Sequence, residues 1–152
     1  MKVTEIRPLG AGEPLTGTND KPALYSDTVQ AGFPSPAQDH IERQLDLNEH
    51  LVKHPVATFY VRVQGESMNG ANIHDGDILI VDRSLEPSHN RIVVAVLDGE
   101  FTVKKLHKDK DSGAITLLPE SDDPNFEPIL ITEESDFEVW GVVTWVLHHL
   151  NR

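Results

Sequence analysis

Apolar positions are scattered over the first third of the chain and closely patterned over the rest. Through residues 1–31 the apolar side chains Ile6, Leu9, Leu15, Leu24 and Tyr25 stand apart. Pro8, Gly10, Gly12, Pro14, Gly17 and Pro22 interrupt any period that would join them. Such a stretch reads as an arm without a core of its own. The piece from Leu24 to Val29 is expected to lie as an extended strand. From Gln38 to His54 the period turns helical, with Ile41 and Leu45 on one side and Asp39, Glu42 and Arg43 on the other. Asp46 or Asn48 is placed to cap a second short turn that stops before Pro55.

After Pro55 the pattern is that of strands. Val56–Gln64, Asp77–Asp82 and Arg91–Leu97 are β-branched and apolar. Asp98-Gly99 predicts a type I′ hairpin into Glu100–His107, because both central residues of that turn need positive φ. Ala114–Leu118 and the short Pro128–Ile131 follow. Phe137–Leu150 is apolar on both faces, so it is either central in a sheet or covered on one face by a second subunit, and a homodimer is expected. The fold expected is mainly β: about seven strands behind a short helical lead-in and a flexible N-terminal arm.

Composition narrows the function more than the fold. The 152 residues suit one domain, with 38% hydrophobic and 25% charged. A formal charge of −12 argues against direct nucleic-acid binding, so any action near DNA is expected to run through a partner protein. No apolar run approaches the roughly 20 residues that span a bilayer, and the N-terminus lacks a signal-peptide core. A cytoplasmic protein without membrane contact is expected. Without cysteine, disulfides, thiolate catalysis and zinc–thiolate sites drop out. No metal or cofactor is expected, since His50 and His54 have no third ligand nearby and Asp75-Gly76-Asp77 reads as a turn rather than a calcium loop.

Three places carry chemistry together. The first is Gly65-Glu66-Ser67-Met68-Asn69-Gly70, which alone is a polar turn. A serine there needs a base to become a nucleophile. None of the eight histidines has a local signature that brings it to Ser67, and there is no G-x-S-x-G elbow. The second is Phe101-Thr102-Val103-Lys104-Lys105-Leu106. A free lysine titrates near ~10.4 and is a poor base at neutral pH, but burial lowers that value. Alternation sends Lys104 and Lys105 to opposite faces, so one lines an interior site and periodicity does not say which. The third is Gln30-Ala31-Gly32-Phe33-Pro34-Ser35-Pro36. Its prolines favour an extended chain, and Ala31-Gly32 is its least hindered peptide bond. Composition alone reads the segment as a linker, while an extended, unhindered segment is also what a protease cleft binds as an added strand.

Taken in order, Gly32–Ala37, Gly65–Met68, Asp75–Asp82 and Asp98–Leu106 resemble the UmuD-type proteins of SOS mutagenesis, which share a Ser–Lys self-cleaving peptidase domain with the LexA repressor. The resemblance runs from about Leu24 to Trp145. It implies Ser67 as nucleophile, Lys104 as general base and Ala31–Gly32 as the scissile bond. Backbone N–H groups of Glu66 and Ser67 would then hold the oxyanion. It also implies an arm of residues 1–31 removed by self-cleavage and a peptidase and dimerisation domain over 32–152. The implied partners are a RecA filament on single-stranded DNA, which promotes cleavage, and a UmuC-type Y-family polymerase, which the shortened dimer joins for translesion synthesis. Where relatives often read Ser-His-Gly, this chain has Ser88-His89-Asn90, and Asn at positive φ is expected to preserve the turn. The alternative is a LexA-like or phage-type self-cleaving repressor, which needs a helical DNA-binding domain that residues 1–31 do not resemble. A signal-peptidase-like enzyme would need an apolar docking surface, and a non-catalytic module would leave Ser67 and Lys104 merely structural.

Overall fold

The computed structural model describes residues 1–8, 23–25, 41–44 and 46–150. Two compact units make up the chain, one of Met1–Gly12 with His54–Arg152 and the other of Glu13–Lys53. The strands are β1 (Lys2–Pro8), β2 (Ala23–Tyr25), β3 (Ile41–Gln44), β4 (Thr58–Gln64), β5 (Ile78–Asp82), β6 (Ile92–Leu97), β7 (Glu100–Lys108), β8 (Ile115–Leu118), β9 (Ile129–Leu130) and β10 (Phe137–Leu147). One helix, α1 (Leu47–Leu51), precedes β4. The mainly β expectation holds, with ten strands among the described residues instead of about seven.

In the larger unit eight strands form one antiparallel sheet in the order β1-β4-β5-β10-β6-β7-β8-β9. β1 also meets β7, where Lys2 pairs with Thr102, so six strands close into a ring. β10 lies between β5 and β6. Its double-faced apolarity is therefore explained by a central position. Two register shifts bend it, at Val139/Gly141 and Val143/Trp145. The Asp98-Gly99 turn has φ of 49° and 83°, and Asn90 stands at φ 69°, both as expected. Inside the ring, Val61, Val63, Leu79, Val81, Val94 and Val103 share a core with Met68 and Ile73 from the loop after β4. A second cluster, with Val93, Leu106, Leu117 and Val142, packs on the opposite face.

Two expectations give way. The helix over 38–54 is replaced at Ile41–Gln44 by β3, paired antiparallel with β2 in the smaller unit. Among the described residues helical structure begins at Leu47, where Asp46 caps it by accepting from the Asn48 and Glu49 amides at 3.0 and 3.4 Å. A capped start at 47 leaves the preceding residues free to pair as strand. The second concerns the arm. Residues 2–8 are not coreless: Val3 and Ile6 pack against the core cluster and Met1 is inside it at 8% exposure. The bulge between Val3 and Glu5 explains why simple alternation does not show in the sequence.

Candidate active site

The loop after β4 is built to bury a serine. Gly65 leaves the strand at φ 109°, a conformation side chains rarely adopt. Its amide donates to Asp75 Oδ1 at 2.8 Å. After Ser67 the chain makes a single 3-10 turn, Asn69–Ala71, ended by Asn72 in the left-handed region. The amides of Ala71 and Ile73 both donate to the Met68 carbonyl, at 3.0 and 3.2 Å. The side chains of Met68 and Ile73 drive the loop into the core, both being fully buried. Glu120, the second residue after β8, stitches it from outside, since Glu120 N–H donates to the Ser67 carbonyl at 2.8 Å and Gly70 N–H donates to the Glu120 carbonyl at 2.7 Å. A Cβ on Gly70 would lie 3.0 Å from that carbonyl oxygen, so glycine permits the approach.

β7 brings the amine. Lys104 is 7% exposed and its Nζ donates to Ser67 Oγ at 3.2 Å; Ser67 is 1% exposed. Burial holds the Lys104 ammonium below the usual lysine range, opposed by a hydrogen bond with the N-terminal amine. Lys105 points the other way and pairs with Glu120 Oε1 at 2.9 Å. The side-chain contacts separate the two lysines where periodicity left them open: Lys104 reaches Ser67 and Lys105 reaches Glu120, with Lys104 opposite Val93 of β6 and Lys105 opposite Ile92 of β6 and Leu118 of β8.

A second amine meets the same oxygen, from residue 1. The Met1 α-amine donates to Ser67 Oγ at 2.5 Å. Burial foremost, then the charge and hydrogen bond of Lys104, lower its pKa from 8.0 to about 5. Sequence reasoning missed this group, and its only sequence signal is the unbroken piece before Pro8. The histidines have other partners: His54 meets Asp82 at 2.5 Å, His148 meets Asp77 at 2.6 Å and His89 accepts from the Lys108 amide at 3.0 Å. Among the described residues no histidine reaches Ser67. Asp75 and Asp77 serve the turn around Gly76, with Asp77 Oδ2 accepting from the His74 amide at 2.8 Å. Glu66 and Ser67 amides are not among the backbone donors of this loop. Ala31 and Gly32 lie outside the described residues.

A desolvated lysine beside a buried hydroxyl can take its proton and make the oxygen a nucleophile. Comparison with known proteins points the same way. Residues 23–144 match the family model described as peptidase S24-like. Protein ImpA of Escherichia coli is 46% identical over 125 residues, covering 82% of each chain. Protein MucA of Escherichia coli is 46% identical over 122 residues, covering 80% of each. The LexA repressor of Bordetella parapertussis is 37% identical over 119 residues, which are 78% of this chain and 53% of the repressor.

Proposed function

The chain belongs to the peptidase S24-like family, and from that premise we propose that it is a UmuD-like serine peptidase of SOS mutagenesis that cuts itself between Ala31 and Gly32. The observation that carries this reading is the 3.2 Å contact of a buried, depressed-pKa lysine with a buried serine. Neutral Lys104 takes the Ser67 proton as Oγ attacks the Ala31 carbonyl carbon. Amides at Glu66 and Ser67 receive the charge that develops on the carbonyl oxygen. The ammonium formed on Lys104 returns its proton to the Gly32 nitrogen as the C–N bond breaks, and water then hydrolyses the acyl-serine. Attack needs the carbonyl carbon within roughly 3–3.5 Å of Oγ, so the segment around residue 31 must enter the cleft of its own or of a partner subunit. A RecA filament on single-stranded DNA would act by raising the population of that docked state.

Loss of residues 1–31 leaves a shortened homodimer that serves a UmuC-type Y-family polymerase as accessory subunit in translesion synthesis. Trp145 and Leu147, which remain exposed at the end of β10, are side chains that a dimer interface would cover. The higher identity to ImpA and MucA than to the LexA repressor favours this role over that of a self-cleaving repressor. Intact mass after incubation at alkaline pH, or with RecA filament at neutral pH, tests the peptidase reading. The parent should lose residues 1–31, and Ser67→Ala and Lys104→Ala should not. An intact parent under both conditions would sink it.

A further inference from the structure

The N-terminus sits in the cleft as a bound peptide does. The Met1 amine is on Ser67 Oγ, and the Met1 carbonyl accepts from the Val103 amide and the Thr102 hydroxyl, each at 3.1 Å. The Met1 side chain is buried with Met68 and Ile73. From Lys2 onward β1 runs antiparallel to β4, from Lys2 opposite Gln64 to Pro8 opposite Phe59.

We propose that Met1–Pro8 is an autoinhibitory strand, a docked peptide N-terminus that fills the Ser67–Lys104 cleft and must withdraw before a scissile segment can enter. The proposal rests on the Ser–Lys reading above. Three physical arguments support it. First, the space is taken, since a nitrogen 2.5 Å from Oγ occupies the approach an acyl carbon needs. Second, the edge is taken, because the β7 amide of Val103, to which an added substrate strand would bond, already donates to Met1. Third, the chemistry matches. An amine beside both Ser67 and Lys104 stands where a leaving amine must stand when the lysine protonates it, so this end of the cleft accepts a peptide α-amine. The occupant is held by the ladder to β4 and by the Met1 side chain in the core, while the desolvated amine bonds to Ser67 Oγ and Lys104 in a position that disfavours its charged form.

Hydrogen exchange and intact mass, measured on the full chain, test this. One variant carries Gly-Ser-Gly ahead of Met1, which moves the free amine out of the site; a second is Ile6→Asp, which weakens the packing of β1. In the parent the amides from Val3 to Arg7 should be protected. Both variants should lose that protection while β5 stays protected, and both should shed residues 1–31 about tenfold faster or more, as a mostly closed site opens. Should one variant unfold, loss of β5 protection reveals it and the other decides. Rapid exchange of Val3–Arg7 in the parent, protection that survives the extension, or release without acceleration each overturns the proposal. Cleavage in the parent, none in Ser67→Ala and equal rates in the released variants would remove inhibition alone. No cleavage in any form would remove the Ser–Lys reading and the inhibition with it.

Discussion

Replacing Lys104 with methionine separates its chemical role from its structural one. The side chain is 7% exposed, lies opposite Val93, and its Nζ meets both Ser67 Oγ and the Met1 amine. Methionine keeps the unbranched apolar stem and removes the nitrogen. If Nζ is the base, self-cleavage should slow by roughly 10²–10⁴, a barrier rise of about 2.7–5.5 kcal/mol. Stability should stay within about 1 kcal/mol of the parent. Two hydrogen bonds, about 1 kcal/mol net each, are lost, but an amine whose burial without full compensation costs about 1–3 kcal/mol is also removed. Each kcal/mol moves the melting temperature by about 2–4 °C in a chain of this size. Lys105→Ala is the counterpart: it deletes a part-exposed pair with Glu120 worth about 0–1 kcal/mol, and cleavage should stay within about threefold of the parent. First-order rates from intact mass at alkaline pH and thermal melts of the three proteins decide the matter. Cleavage lost in Lys105→Ala and kept in Lys104→Met refutes the base assignment. A Lys104→Met protein that melts far below the parent refutes the stability argument.

The pH profile of self-cleavage should rise with pH up to the depressed pKa of Lys104 and then level off, because the neutral amine is the base. Docking of the Met1 amine, whose pKa falls from 8.0 to about 5, should itself strengthen from pH 5 to 8, because the undocked amine binds more protons across that window. The parent profile should therefore climb less steeply there than that of the extended variant and run parallel to it above pH 8, in rates taken by mass spectrometry. Gly141→Ala places a Cβ 2.5 Å from Val81 Cγ1 in the central strand pair, so overpacking should cost about 1–3 kcal/mol in urea unfolding. Asp77→Ala strands the His74 amide that the buried carboxylate holds at 2.8 Å and should cost about 1–3 kcal/mol in the same assay, with no calcium-dependent change in the parent.

The legible part of the fold was the part governed by local rules. The Asp98-Gly99 turn, the β-branched runs around it and the Asp46 cap each follow from one residue's conformational preference, and each is where the sequence puts it. The misread parts depend on partners far along the chain. Ile41 and Leu45 have a helical spacing, yet Ile41–Gln44 pairs with β2, whose presence a local window does not weigh. Lys2–Pro8 becomes a strand because β4 and β7 offer it edges, and a bulge at Val3/Glu5 hides its alternation. The site divides in the same way. Ser67 and a lysine on a strand were legible as residue types, but which lysine meets Ser67 depends on how β7 and the loop after β4, far apart in the chain, come together. The Met1 amine has no motif at all.

Burial lowers the pKa of Lys104, and the N-terminal amine beside it partly offsets that shift. Lys104 and the Met1 amine both bond to one buried hydroxyl, and among the described residues no carboxylate lies within ion-pair distance of either. Two positive charges so placed would repel each other while both lose hydration, so at most one is protonated at neutral pH. The amine with the lower solution value, the N-terminus, yields first, and its pKa of about 5 fits that order. A neutral N-terminus leaves Lys104 without a second charge beside it but still short of solvent, and burial then sets how far its own pKa falls. Were β1 to withdraw, the hydrogen bond that raises Lys104 would be lost, but water reaching Nζ would relieve the larger desolvation and ease the ammonium back towards its ordinary range. On the proposed reading, opening the cleft would admit the scissile segment and make the base harder to keep neutral, unless that segment restored the desolvation that Met1 supplied. The apolar run Ala31-Gly32-Phe33-Pro34 carries no charge and meets that requirement, so a charged residue placed next to Ala31 should slow cleavage even where the strand can still dock.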